Sequence, residues 1–325
     1  MTSAPAAAAV PVHPPRRVAV VVNAAAGSLL GQDRQAIAAR FEALLAATGA
    51  AAQVAVAEGP GIARAIDHAL ASDAEALLIG GGDGTILAAV ERLLPETRLG
   101  AGRPLGLVPL GTANLLARDL GIPLTPEAAI PALITGAVRR IDVATVNGRV
   151  FLNSSLIGIA PILVQQRERM RRRRGPLKWL RLIRAFFRML DRYPRLHVIL
   201  QADGRPVRLV TRALALSNNP LDQGFAAIHS RASLETGQFG VYATQIERRL
   251  QLWRLLARVV AGTWQQDPAL AAMTARRVNV IAHPRRLWVA NDGENQLLAT
   301  PLRYRILPRA LSVLVPRAAT DDPPG

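Results

Sequence analysis

The sequence predicts an α/β protein in two parts, and three observations predict it. Through the first 140 or so residues, β-branched runs alternate with helical patterns, the mark of a parallel sheet flanked by helices. Beyond that point the alternation stops. Strand-like runs then follow one another across Asn147-Gly148 and Asp203-Gly204, dipeptides that suit tight hairpin turns and an antiparallel β domain. Finally, polar glycine-bearing loops close three of the early strands, at the end where ligands sit in parallel sheets.

The elements read in order. Arg17 to Val22 (RVAVVV) is a short β-branched run and predicts a buried parallel strand that stops at Asn23-Ala-Ala-Ala-Gly27-Ser28. A helical pattern follows, with Ile37, Phe41, Leu44 and Leu45 as its apolar stripe. Ala51 to Ala57 predicts a second strand, Gly61 to Ala71 a helix and Ala76 to Ile79 a third strand. Ile86 to Leu94 predicts a helix after a glycine-rich turn, and Pro104 to Val108 a fourth strand. Asn23–Gly27, Gly81–Thr85 and Pro109–Asn114 then line one edge of the sheet. In the second part, the runs IDVATVNGRVFLN, HVILQADGRPVRLVTRALALSN and FGVYATQI are strand-rich. No internal repeat is present.

Half of the 325 residues are apolar, enough for a sizeable core. The chain has no cysteine, which excludes disulfides, thiolate metal sites and thiol chemistry and fits a reducing cytoplasm. No run of about 18 uncharged apolar residues offers a membrane-spanning helix. The opening MTSAPAAAAVPVHPP lacks a charged region before an apolar stretch, so residues 1–16 read as a disordered tail rather than a signal peptide, and 318–325 as a second tail. The five histidines, at 13, 68, 197, 229 and 283, show no metal-ligand spacing. The net charge of +17 calls for a polyanionic partner: nucleic acid, an anionic membrane or phosphorylated substrates. Nucleic acid is disfavoured, because no such motif appears and aromatics are only 4%, too few for stacking platforms.

Much of that charge is local. Residues 165–195 carry twelve Lys/Arg and two acids, +10 of the total. Lys178, Arg181, Arg184 and Arg188 recur at helical spacing, and Leu180, Ile183, Phe186, Phe187 and Leu190 supply an apolar face. Such a basic amphipathic segment suits an anionic membrane interface at the inner, cytoplasmic face. A core-facing helix with a solvated arginine face is the plainer alternative. The sequence leaves oligomeric state open, a homodimer included.

The most specific signal is Gly81-Gly82-Asp83-Gly84-Thr85. A glycine-rich turn lets backbone N–H groups reach phosphate oxygens, and a following helix N-terminus favours their negative charge. Asp83 beside phosphates would be repelled unless a hard cation such as Mg²⁺ lay between them. The turn is neither GxGxxG nor GxxxxGK[ST].

With PLGTAN at 109–114 and ARDLGIP at 117–123, GGDGT resembles the diacylglycerol kinase catalytic domain family. That family holds bacterial soluble lipid kinases and the sphingosine and ceramide kinases, and NAD kinases are its distant relatives. NAAAG at 23–27 is similar to its first nucleotide loop, and IDVATVNGRVFLNSSLIG at 141–158 to the opening of its second domain. NDGE at 291–294, followed by TPLRYRILPRALSVLVP at 300–316, is similar to its closing region.

The resemblance implies two domains with an active site in the cleft between them. Residues 17–140, with about 302–317 returning, would form a three-layer α/β ATP-binding domain. Residues 141–301 would form an antiparallel β-sandwich that takes the lipid substrate. The implied reaction transfers the γ-phosphoryl group of ATP, with Mg²⁺, to the hydroxyl of a lipid such as diacylglycerol, a sphingoid base or another lipid alcohol. Matching positions place Asn23, Gly27, Gly81, Gly82, Asp83, Gly84, Thr85, Thr112 and Asn114 around nucleotide or metal, with Asn114 open to a loop-shaping role instead. Glu294 matches the proton acceptor, with Asp292 beside it. In a strand, residues two apart share a face, and a like-charged neighbour would raise one carboxyl's pKa. Taken alone, DGE reads as an Asp-Gly turn with a surface Glu.

Three departures stand out. Ile86-Leu87-Ala88 replaces the polar stretch that follows GGDGT in many relatives, and Ala55-Val56-Ala57-Glu58 lacks a threonine often found before the second helix. Thr236 stands where bacterial lipid kinases carry the Asp of a structural Mg²⁺ site. These departures motivate a non-catalytic nucleotide- or lipid-binding protein as one alternative. An NAD kinase-like enzyme is another, and PLGTANLLARDLGIP argues against it.

Overall fold

The computed structural model describes residues 10–11, 13–98, 102–159, 195–222, 230–231, 233–246 and 249–317. Apart from Arg195, the basic segment expected at 165–195 lies outside them. By contacts the chain divides into two units, residues 1–142 with 308–325, and Val143–Leu307.

The first unit is an α/β layer. Strands β2 (Arg17–Asn23), β3 (Ala51–Ala57), β4 (Ala76–Gly81) and β5 (Leu105–Pro109) run parallel in the order β3-β2-β4-β5. β4 and β5 are buried along their whole length. Helices connect the strands. In α1 (Arg34–Ala46), Asp33 caps the first turn through Ala36 N–H at 3.0 Å, and Ile37, Phe41 and Leu45 are buried four residues apart. α2 (Pro60–Ala71) starts on Pro60 and buries Ile62, Ile66 and Ala69. α3 (Asp83–Arg98) buries Ile86, Ala89, Val90 and Leu93. The short α4 (Leu115–Asp119) and α5 (Pro126–Ile134) follow β5, and α1 packs on α5 as α2 packs on α3. Val10–Pro11 (β1), read from the sequence as tail, pairs antiparallel with β6 (Ala137–Val146) at Val138 and Ala137.

The second unit is a β-sandwich. One layer holds β9 (Leu196–Ala202), β10 (Arg205–Thr211), β14 (Arg277–Ala282) and the first part of β17 (Leu302–Val315), in the order β10-β9-β14-β17. The other runs β13-β12-β11-β8-β15-β16: β13 (Leu270–Ala275), β12 (Phe239–Thr244), β11 (Ala213–Asn218), β8 (Ser154–Gly158), β15 (Arg286–Asn291) and β16 (Glu294–Ala299). Both layers are antiparallel. Their facing side chains form one core, in which Phe151, from β7 (Arg149–Phe151), meets Phe239 and Tyr304 at ring-centroid distances of 6.1–6.2 Å. The expected hairpin turns are present: Asn147-Gly148 and Asp203-Gly204 have φ of 48° and 83°, and 48° and 84°. Both values are positive, as a tight two-residue hairpin requires. Arg254, from helix α6 (Arg249–Val260), forks onto buried Asp267 with two bonds of 2.9 Å, and Arg258 stands 3.5 Å away. The guanidinium of Arg254 holds the Asp267 carboxyl below its ordinary pKa.

β17 passes from one unit to the other. Leu302–Arg305 pair with β14, and Val313 pairs parallel with Leu105 of β5. The crossing falls at Leu307–Pro308, a few residues later than the sequence suggests. Just beyond it, Arg309 N–H donates to the buried carboxylate of Asp142 at 2.8 Å.

Candidate functional site

The parallel register brings three loops to one edge of the first unit. Asn23 ends β2 opposite Ala57, and Gly81 ends β4 opposite Pro109. Side chains and backbone then tie the loops together. Asn23 Nδ2 donates to Thr85 Oγ1 at 2.9 Å, and Ser28 Oγ donates to the Leu110 carbonyl at 3.1 Å. Leu110 N–H reaches the Gly81 carbonyl at 3.0 Å.

Asp83 is the main tie. Its Oδ2 accepts from Asn114 N–H at 3.1 Å and its Oδ1 from Leu115 N–H at 3.0 Å. It thereby satisfies donors that the start of α4 leaves without partners. Asn114, buried and left-handed at φ 48°, shapes the loop from within. Its Oδ1 accepts from Gly111 N–H at 3.0 Å and its Nδ2 donates to the Gly111 carbonyl at 2.8 Å. Burial pushes the Asp83 carboxyl above its ordinary pKa, and the N–H groups of Leu115 and Asn114 pull the other way.

The glycines correct one expectation. Gly81–Thr85 is not a free turn: Gly80 and Gly81 belong to β4, and α3 begins at Asp83. None of Gly80, Gly81 and Gly82 has a positive φ, so their purpose is space. A Cβ on Gly81 would lie 2.5 Å from Thr85 Cβ, and one on Gly111 would lie 2.6 Å from Gly82 Cα. The close approach they permit is therefore to the protein itself. Gly27 and Thr112 lie exposed on these loops, and Gly84 lies exposed in the first turn of α3. Beside them a cavity of about 270 Å³ is lined by Ser28, Arg40, Leu110, Gly111, Thr125 and Glu127, and Arg40 and Glu127 form an ion pair.

In the second unit, Asp292-Gly293 is the turn of the β15–β16 hairpin, with φ of 48° and 91°. Asp292 is therefore not in a strand, and the expectation that it shares a strand face with Glu294 fails. Its carboxylate points back to β8 and the preceding loop. It accepts from Leu152, Asn153 and Ser154 N–H at 2.6, 2.8 and 3.0 Å, while its own N–H donates to the Ser154 carbonyl at 2.9 Å. Burial, not a like-charged neighbour, pushes its pKa up. The three N–H groups and the charge of Arg231 oppose that shift. Glu294, first in β16, is exposed, and no side-chain hydrogen bond or ion pair ties its carboxylate among the described residues.

Sequence reasoning missed Arg231. It is 7% exposed and donates to the Leu152 and Asn218 carbonyls at 2.7 and 2.9 Å and to Asn153 Oδ1 at 3.0 Å, so it braces the segment that Asp292 grips. Nothing in its local sequence marks it. Gly111, inside PLGTAN, could have been found by asking which backbone must touch Gly82.

A divalent cation fits at Asp83 in one mode. Each carboxylate oxygen keeps a lone pair beyond its N–H bond, and small hard cations are commonly held by one carboxylate plus substrate phosphates. A cage made of protein alone does not fit: no group of three or more His, Asp or Glu side chains gathers among the described residues. The second-unit metal does not fit at Thr236. Its N–H and hydroxyl donate to Asn219 Oδ1 at 2.8 and 2.6 Å, and its Oγ1 accepts from Gln238 N–H at 3.2 Å. Side-chain hydrogen bonds hold this turn. No helix among the described residues is long and apolar enough to cross a membrane.

Comparison with known proteins matches residues 17–146 to the diacylglycerol kinase catalytic domain and residues 156–315 to the YegS C-terminal NAD kinase beta sandwich-like domain. A Pseudomonas aeruginosa protein named "Probable lipid kinase YegS-like" is 44% identical over 95 residues, 29% of this chain and 30% of its own length. The chain thus matches under a third of that relative. A diacylglycerol kinase of Mycobacterium tuberculosis is 28% identical over 77% of this chain and 79% of its own. A diacylglycerol kinase structure from Bacillus anthracis superposes with a TM-score of 0.68 at 18% identity, covering 93% of this chain and 97% of that one, and so shares its fold. Two adjoining domain matches, which together span residues 17–146 and 156–315, establish that this chain belongs to the diacylglycerol kinase catalytic domain family.

Proposed function

We propose that the protein is a lipid kinase that transfers the γ-phosphoryl group of ATP to the hydroxyl of a lipid. The observation that carries this reading is the joining of GGDGT to PLGTAN through Asp83, which holds an open, glycine-lined loop cluster at the C-terminal ends of parallel strands. Phosphoryl transfer asks protein for little covalent chemistry; it needs positioning, charge neutralisation and a proton acceptor. In this reading the first unit binds ATP through the loops that hold Asn23, Gly27, Gly81–Thr85, Thr112 and Asn114, and the second unit binds the lipid. A divalent cation such as Mg²⁺, held by Asp83, would neutralise phosphate charge when bound. Glu294 takes the proton as the lipid oxygen bonds to the γ-phosphorus and the bond to the β-phosphate oxygen breaks, which leaves ADP. Its exposed, unbonded state supports that role. Asp292 serves as the strut that fixes the hairpin. Contact with an anionic membrane through residues 165–195 is part of the proposal and rests on their composition.

The test is transfer of label from radioactive ATP, with Mg²⁺, into a total lipid extract, beside a parallel NAD sample. Label in a lipid supports the reading. Label in NADP would transfer the assignment to a soluble hydroxyl. No label in either, with ATP still bound, would leave a nucleotide-binding protein without this chemistry.

A further inference from the structure

The stretch that leads into β8, residues 152–154, is held by opposite charges. Asp292 accepts its three N–H groups. Its oxygens turn to a guanidinium: Arg231 donates to the Leu152 carbonyl at 2.7 Å and to Asn153 Oδ1 at 3.0 Å, and also to the Asn218 carbonyl at 2.9 Å. These three acceptors come from two separate stretches of chain, and all are uncharged oxygens. Backbone carbonyls and carboxamide oxygens are ligands of the kind a hard cation takes. Here the positive charge among them is Arg231, which is 7% exposed. A guanidinium suits that place because it carries five donors in a rigid fork and stays charged. The network continues to Thr236. Asn218 Nδ2 donates to the Leu152 carbonyl at 3.1 Å, and its N–H to the Asn153 carbonyl at 2.9 Å. The next residue, Asn219, is wholly buried, and its Oδ1 takes both donors of Thr236.

We infer that Arg231 is the resident cation of the second unit: it stands in for a structural metal, balances the Asp292 carboxylate across residues 152–154, and so fixes the turn of the β15–β16 hairpin without a divalent ion. The oxygens that could serve a metal already accept from Arg231 or from Thr236. No group of three or more His, Asp or Glu side chains gathers among the described residues to add the negative charge a divalent ion needs. A second cation beside the fixed guanidinium would also be repelled. Asp292, for its part, needs a positive charge nearby, because a buried carboxylate without one is costly. This role lies in the fold of the second unit and goes beyond the lipid kinase reading, whether or not that reading holds. Where it holds, the divalent cation of the reaction is the one that accompanies nucleotide at Asp83.

The test is thermal unfolding of the full chain without nucleotide, in EDTA and in millimolar MgCl₂. Wild type should melt at the same temperature in both, and so should Asp83→Asn. Arg231→Met should melt about 10 °C lower in either, since it leaves a buried carboxylate without its opposing charge. The double variant Arg231→Met/Asp292→Asn should lose less than the two single variants combined, because it buries neither charge. Should Arg231→Met fail to fold, the double variant and the two metal conditions on wild type decide instead. A melting temperature that Mg²⁺ raises in both wild type and Asp83→Asn places a structural metal away from the nucleotide loops and overturns the inference. A rise that Asp83→Asn abolishes belongs to that carboxylate and leaves the inference standing. An Arg231→Met protein as stable as wild type, or losses that simply add, overturns it as well.

Discussion

Asp83 and Asp292 lie in different units, in motifs spelled almost alike, and both carboxylates grip distant backbone. Asp83 reaches 31 and 32 residues along the chain to two N–H groups, and Asp292 reaches 138 to 140 residues back to three. In each case burial raises the pKa and the donors restrain it. The motifs part at their third residue. Thr85 is buried and bonded to Asn23, whereas Glu294 is exposed and untied among the described residues. Asp-Gly thus grips distant backbone in both places, and only the second motif carries a further carboxylate, which is exposed.

The largest effect that would sharpen this contrast is on rate. Glu294→Gln should lower kcat by about 10³, within the usual span for losing a general base, with ATP affinity and melting temperature unchanged. Steady-state kinetics beside a melting curve check it. Equal losses in turnover and nucleotide affinity would make Glu294 structural. Asp83→Asn should also reduce transfer below detection while the protein stays folded, because the amide lacks the charge a cation needs; a fully active variant would break the first half of the contrast. Next comes stability. Asp292→Ala strands three backbone donors and should cost about 3 kcal/mol, counting roughly 1 kcal/mol for each. Denaturant unfolding reads it, and a loss near zero would remove the clamp. Gly81→Ala should cost about 1–3 kcal/mol through its clash with Thr85. If it lost ATP binding at full stability, its glycine would serve the ligand instead.

The smallest effect is on pH dependence. A carboxyl whose pKa is raised by folding binds protons more tightly in the folded state, so its contribution to stability falls as pH rises from the ordinary carboxylate range through the folded value. The stability of wild type relative to Asp292→Asn should therefore decline across that window and level off above it. A difference that grows with pH would mean that the N–H groups outweigh burial.

Much of the fold was legible because it is local. β-Branched runs and helical stripes marked β2–β5 and α1–α3, and Asn-Gly and Asp-Gly marked the hairpins. The site was legible only as motifs. GGDGT reads as a loop because glycine weakens strands and helices. In the structure, packing of Gly81 on Thr85 and of Gly82 on Gly111 overrides that penalty, and the helix begins at Asp83. No local pattern joins Asp83 to Asn114, or Arg231 to Asn153, since those bonds close across 31 and 78 residues.

The measurement that tests the division of labour most directly is the single-turnover rate of phosphoryl transfer from ATP to dioctanoylglycerol, compared in wild type, Glu294→Gln and Asp292→Asn at a temperature where all three are folded. The account predicts that Glu294→Gln loses nearly all of the rate, while Asp292→Asn keeps most of it and melts lower. A glutamine variant as fast as wild type, or an asparagine variant that stays stable but inert, would contradict it.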